Sequence, residues 1–217
     1  MNDFTAYLKN MAAKASRGEL GLSAEELEKV ERDKAASERL DIERRMGRQL
    51  ERLPALQLAT SRAVLDGRAK AAPATAMLRA TLHKAPTASV ILCGSTGAGK
   101  TTAMTTHGLQ RILEGATVGY VEVSRFERVV RLPDLMATLE ECGTLYIDEI
   151  HRARGLPDWI LTPFTGLIDF RYHEQRQMIA SGTVQLADLE NVVGREIVER
   201  FDYRLGTSEA SWRKAGR

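Results

Sequence analysis

The stretch GSTGAGKT, Gly94–Thr101, fits the pattern G-x-x-x-x-G-K-[ST] in full. Its residue types suit a phosphate chain. Gly94, Gly97 and Gly99 let the backbone curl, so N–H groups along Ser95, Thr96, Ala98 and their neighbours can point inward. A strand precedes the stretch and a helix follows it, which is the context this motif requires. The helix start, carrying Thr101 and Thr102, adds its dipole to the anion site. Lys100 then reaches the β- and γ-phosphates, and the Thr101 hydroxyl ligates Mg²⁺.

The second half of such a site is LYIDEI, an apolar strand ending in Asp148 and Glu149. Asp148 can hold Mg²⁺ through water, and Glu149 is placed to polarise a water for attack on the γ-phosphate. A kinase acting on a small molecule needs no such base, because its acceptor brings a hydroxyl. The Asp-Glu pair therefore favours hydrolysis of a nucleoside triphosphate over transfer to a metabolite. The sequence contains neither an L-S-G-G-Q stretch nor an N/T-K-x-D stretch, which argues against a transporter-type ATPase and a GTPase. A further strand, QMIASGT, ends in Ser181 and Thr183. Either could touch the γ-phosphate or the attacking water as a sensor.

These groups need a frame. Short apolar runs at Ala88–Gly94, Ala116–Val123, Gly143–Ile150 and Arg176–Thr183 read as strands. Helical stretches such as Thr101–Leu113 and Trp159–Glu174 separate them. Strands alternating with helices predict an α/β domain, its parallel sheet flanked by helices. Residues 1–74 differ in texture, being polar and rich in Ala, Glu, Lys and Arg. There Ser23 and Glu26 form an S-x-x-E capping box that predicts a helix start, and a second helical stretch follows Pro54. The expected division is a helical, partner-docking region at 1–74 and a P-loop ATPase domain at 75–217.

The 217 residues carry a formal net charge of +2, so nothing in the overall charge announces a nucleic-acid partner. Cys93 and Cys142 fit no metal spacing and read as buried free thiols. There is no signal-peptide core and no run of membrane-spanning length, so a soluble cytoplasmic protein is the expectation.

Hydrolysis requires positive charge on the γ-phosphate in its transition state, and Lys100 is one cation. The late stretch NVVGREIVERFDYRL reads as a helix with Ile197, Val198, Phe201 and Leu205 on one stripe. An arginine flanking that stripe could serve a neighbouring subunit as an arginine finger, worth a factor of about 10³–10⁵ in rate. Arg213, in SWRK, could contact phosphate from the same chain.

The order of GSTGAGKT, YIDEI, FTGLIDFRYHEQRQMIASGT and LADLENVVGREIVERF resembles that of DnaC-like AAA+ ATPases. These are bacterial and phage helicase loaders, related to the IstB-type transposition ATPases. The resemblance covers roughly residues 88–213. Its more specific parts are LIDFRYHEQRQMIASGT, similar to the loaders' L-I-x-x-R-Y-x-x-x-R-x-x-I-x-x-S-N, and the closing G-x-x-I-x-x-R and S-W-R. It implies an AAA+ core ending without a separate helical lid, ATP as the nucleotide, and self-association through AAA+ interfaces. It also implies DNA replication as the process and a hexameric replicative helicase as the partner, gripped by the N-terminal helices. Arg200 matches the finger position, with Arg195 as the alternative, and Arg213 matches the second sensor. Gly182 stands where the family has Asn as first sensor, which leaves Ser181 or Thr183 to substitute. Related loaders touch single-stranded DNA between the second strand and the Asp-Glu strand. Here RFERVVR supplies Arg125, Arg128 and Arg131, with Phe126 expected to stack on a base. Two other functions fit the same motifs: a transposition ATPase that polymerises on double-stranded DNA and recruits a transposase, and a nucleotide-gated adaptor with little turnover.

Overall fold

The computed structural model describes residues 14 and 24–207. The chain forms two compact units, residues 1–48 and 49–217. In the first, the described structure is helix α1, Ala24–Leu50, whose last two residues belong to the second unit. Its Ala, Glu, Lys, Arg and Leu content is that of strong helix formers. Glu28 and Arg32 pair across one turn on its exposed surface, at 2.7 Å. The Ser23 and Glu26 side chains lie outside the described residues.

The second unit is built on five parallel strands: β1 (Val90–Cys93), β2 (Val118–Glu122), β3 (Thr144–Asp148), β4 (Gln177–Gly182) and β5 (Tyr203–Gly206). Their order is β2-β3-β4-β1-β5. β1, β3 and β4 are buried at every position, which explains their near-continuous apolar sequences.

Helices cover the sheet. Two of them, α2 (Ala55–Leu65) and α3 (Pro73–Lys84), pack on α4 (Lys100–Leu113), the helix that leaves the cradle. The compact unit therefore starts at Gln49, ahead of the boundary expected at 74/75. The contacts mix buried apolar side chains, Val64, Leu78 and Leu82, with polar and close-packed ones. Ser61 meets Thr106 at 3.1 Å, and Leu53 lies so near Gly108 that an added methyl would sit 2.9 Å from it. Pro73 opens α3 at a position where its missing N–H is harmless. Gln49 and Arg52 bond the N–H and the carbonyl of Val118, at 2.9 and 3.1 Å, which engages backbone on the sheet's edge strand.

On the other side lie α5 (Phe126–Val130), α6 (Pro133–Glu141) and α7 (Asp158–His173). Phe126 and Phe164 meet edge-to-face at 5.0 Å in the core. Arg171 is fully buried, with no carboxylate partner among the described residues. Its Nη1 donates to the carbonyls of Leu139, Glu140 and Cys142, and its Nη2 to that of Gln177 at 2.8 Å. A cation here satisfies carbonyls at the C-terminal end of α6 and joins that helix to β4. Both thiols are free and buried.

The expected single helix over NVVGREIVERFDYRL is corrected. Helix α8 (Leu189–Val193) stops at Gly194, whose φ is 106°, and α9 (Arg195–Val198) is one short turn. Ile197, Val198 and Phe201 are buried as the stripe predicts, but Leu205 lies in β5 opposite Leu92. The pairing explains the change. Asp202 accepts from the Ser89 N–H at 2.7 Å, and its own N–H reaches the Ser89 carbonyl, which aligns β5 beside β1. Among the described residues no helix is long and apolar enough to cross a membrane.

Candidate active site

The carboxyl ends of β1, β2, β3 and β4 open onto one cavity of about 580 Å³. Ligands of open parallel sheets sit at such strand ends. Thr96, Gly97, Gly99, Lys100, Thr101 and Thr102 of the glycine-rich stretch line the cavity. Gly94, Gly97 and Gly99 have φ of 141°, 87° and 83°, so the turn needs the glycines that the motif supplies. The fit is also tight from behind: a Cβ on Gly99 would lie 2.5 Å from the Ala72 methyl, and one on Gly94 would strike Thr207.

Lys100 is 7% exposed. Its Nζ donates to the carbonyls of Gly94 and Ser95 at 2.8 Å each, so the ammonium is held across the cradle. Burial lowers its pKa from the ordinary lysine value, while Asp148 pulls the other way.

Asp148 organises the opposite wall. Its Oδ2 accepts from the Thr101 hydroxyl at 2.9 Å and from the Tyr120 hydroxyl at 2.7 Å. Its Oδ1 accepts from the Ser181 hydroxyl and from the Glu149 N–H at 3.0 Å. Four donors match the roughly four acceptor positions of a carboxylate, which fixes its orientation. Burial and Asp148 push the Tyr120 phenol far up, so it remains a proton donor. Glu149 follows in the left-handed region, φ 59° and ψ 37°. Such a residue stores about 1–3 kcal/mol of strain and clusters at functional sites. Its Oε2 lies 2.9 Å from Arg152 Nε.

Thr183 lines the mouth of the cavity, and its N–H donates to His151 Nδ1 at 3.1 Å. Sequence reasoning missed Tyr120, Glu122, Arg152 and the Pro54–Gln57 turn, all but Arg152 lining the cavity. The signal for the first two lay in the alternation of GYVEV. Glu122 stands in register with Asp148, so Tyr120 and Glu122 share the β2 face that reaches the site.

No family model and no curated protein sequence matches this chain. Solved structures do. DnaA from Aquifex aeolicus with AMPPCP bound superposes at a TM-score of 0.56 and 15% identity, over 65% of this chain and 49% of that one. Domain III of the Thermotoga maritima replication initiation protein DnaA gives 0.52 and 14%, over 64% of each chain. A DnaC helicase loader gives 0.51 and 21%, over 61% of this chain and 86% of the loader. The chain thus spans about half the length of the Aquifex DnaA it matches. The fold is the AAA+ P-loop fold.

Within this AAA+ domain the arginines divide. Arg200 does not line the strand-end cavity. It lines another, of about 660 Å³, at the amino ends of β1 and β5. Its Nε lies 2.7 Å from Asp169 Oδ1, and its guanidinium lies over the Tyr172 ring at 4.9 Å. Arg195 is exposed and pairs with Glu199 at 2.7 Å. Arg213 lies outside the described residues. In RFERVVR the expected stacking role of Phe126 is corrected: the ring is fully buried and has no face for a base. Arg131 pairs with Glu127 at 2.6 Å and lies over Trp159, Arg128 is exposed, and Arg125 lines the strand-end cavity.

Proposed function

We propose that this chain is an ATP-hydrolysing DNA-replication protein that loads or remodels a hexameric replicative helicase on DNA. The observation that carries the hydrolytic part is the single cavity joining Lys100, Thr101, Asp148 and Glu149 at the strand ends. The AAA+ fold, shared with a DnaC helicase loader, supports the replication part.

The residues divide the work. The Gly94–Thr102 backbone binds the phosphates, and Lys100 bridges the terminal two. Thr101 and Asp148 suit Mg²⁺ carried on the phosphates, one hydroxyl and one carboxylate with room for water. Such an ion, when bound, neutralises charge on the β- and γ-oxygens. Glu149 orients a water and takes its proton as the water oxygen bonds to the γ-phosphorus. The bond from that phosphorus to the bridging oxygen breaks, and ADP carries the oxygen away. Ser181 holds Asp148, while Thr183 stands at the mouth as a sensor. Arg200 of a neighbouring copy, or Arg195 in its place, completes the site by stabilising the γ-phosphoryl charge, so assembly and turnover are coupled. Arg213 serves as the second sensor. Residues 1–74 dock the helicase, and Arg128 and Arg131 meet single-stranded DNA.

The test is retention of a hexameric replicative helicase by the full-length protein, with ATP and Mg²⁺ present, alongside steady-state ATP turnover with and without single-stranded DNA. Retention with stimulated turnover is expected. No retention in any nucleotide state would sink the loader reading, and no turnover in any mixture would sink the hydrolase reading.

A further inference from the structure

The geometry points to Arg125 as a catalytic residue, a second cation that the chain supplies to its own γ-phosphate. This deepens the hydrolase reading above and rests on it. The charge balance of the cavity motivates the assignment. Its walls carry three acids, Glu122, Asp148 and Glu149, against two cations, Lys100 and Arg125. Lys100 is already bonded to two cradle carbonyls. A triphosphate adds several negative charges beside Glu122, which stands level with Asp148 at the end of β2. Without a neighbouring cation Glu122 would oppose binding.

The backbone directs Arg125 into this gap. It ends the short turn Val123–Arg125 that follows β2. Val123 before it and Phe126 after it are both fully buried, so the turn is pinned on either side while Arg125 projects outward. The side chain is 81% exposed, and its Nε is 3.5 Å from Glu122 Oε2, too long for a good hydrogen bond. The other Glu122 oxygen accepts from the Ser124 hydroxyl. The guanidinium thus keeps donors in a planar fork that matches phosphate oxygens. Of the arginines nearby, Arg152 pairs with Glu149, and none of Arg128, Arg131 and Arg152 lines the cavity. The motif reading sent Arg125 to DNA with its neighbours; the fold separates it from them.

Arg125→Ala in the full-length chain tests this. Affinity for ADP should stay within about twofold and affinity for a non-hydrolysable ATP analogue should fall about tenfold, because only the latter presents the γ-phosphate. Turnover should fall by about 10²–10³, the usual loss for one donor on a developing anion. Arg125→Lys should recover part of both, and single-stranded DNA affinity should not change. Mixing Arg125→Ala with Glu149→Gln should restore nothing, since both defects lie in one site. Three results would overturn the assignment: normal analogue affinity and turnover, a loss confined to DNA binding, or restored turnover on mixing, which would mean Arg125 serves a neighbour. If the unaltered chain binds the analogue more tightly than ADP yet never hydrolyses ATP, loss of that preference in Arg125→Ala upholds Arg125 as a γ-phosphate contact while the hydrolase reading falls.

Discussion

The two ends of the parallel sheet present different sets of groups. At the carboxyl ends, a cradle, a lysine, a hydroxyl and two carboxylates converge on one cavity. At the amino ends, Arg200 sits 30% exposed, held by Asp169 and laid on Tyr172. The first end has the parts to bind a triphosphate and activate water. The second presents a positioned cation in a cavity that Arg171, Arg176 and Asp202 also line, with no glycine-rich cradle among its lining residues. A chain with both sets at opposite strand ends suits head-to-tail assembly, in which each copy's cation end meets the next copy's cradle end. The part-buried Asp169 contact and the Tyr172 ring fix where Arg200 is presented.

The largest effect should come from breaking the cation end. Arg200→Ala should leave ATP binding intact and lower turnover by about 10³ or more, as loss of an arginine finger does. Mixed with Glu149→Gln, it should regain part of the activity, because one interface in the mixture then has an intact cradle and an intact arginine. Steady-state phosphate release on the two variants, alone and mixed, measures this. Normal turnover by Arg200→Ala alone would reduce that end to a surface ion pair.

Breaking the cradle end comes next. Glu149→Gln should lower turnover by about 10²–10⁴, the range for a lost general base, and retain nucleotide. The pairing with Arg152 sharpens the prediction, since it holds the carboxylate in the left-handed turn. Tyr120→Phe should act more gently. It removes one of four donors to Asp148, and a hydrogen bond to a charged group is worth about 1.5–3 kcal/mol. The expected result is an analogue affinity reduced about tenfold in Mg²⁺ and unchanged in EDTA. Equal losses in both conditions would mean that Tyr120 supports the fold rather than a metal-binding role of Asp148.

The two ends were unequally legible in sequence. The cradle is a contiguous stretch whose glycines have a backbone reason, so Gly94–Thr101 announces itself, and an apolar strand ending in Asp148 and Glu149 stands out almost as well. Tyr120 does not, because its role depends on β2 lying next to β3 in register, a long-range fact that no local pattern carries. The cation end misled more. Ile197, Val198 and Phe201 are spaced as on a helix and are buried, yet the chain turns at Phe201 and Leu205 joins the sheet. The open edge of β1, and Asp202 bonding to Ser89, overrode a helical spacing that a short segment can satisfy by chance. Likewise α2 and α3 join the P-loop unit by burying Val64, Leu78 and Leu82 beside Ser61 and Thr75, in a stretch whose overall polar, Ala- and Arg-rich texture masks these few apolar positions.

The smallest effect lies between the two ends. His107, midway along α4, has its Nδ1 2.8 Å from the hydroxyl of the fully buried Tyr146 in β3. Burial, with Arg111 nearby and Glu114 opposing, lowers the His107 pKa to about 4. In the unfolded chain it returns to about 6.5. Above that value both states are neutral and the full contribution of the contact is present. As pH falls from about 6.5 toward 4, only the unfolded state takes up the proton, so stability declines, by at most about 3 kcal/mol. Chemical denaturation at pH 7 and pH 5 measures the slope. His107→Gln should flatten it, while turnover at pH 7 should change little, because His107 does not line the strand-end cavity. A variant that keeps the full acid slope would place the titration elsewhere. One that loses turnover at pH 7 would show that the α4–β3 contact transmits to the cradle, and that the two ends of the sheet are coupled through the helix between them.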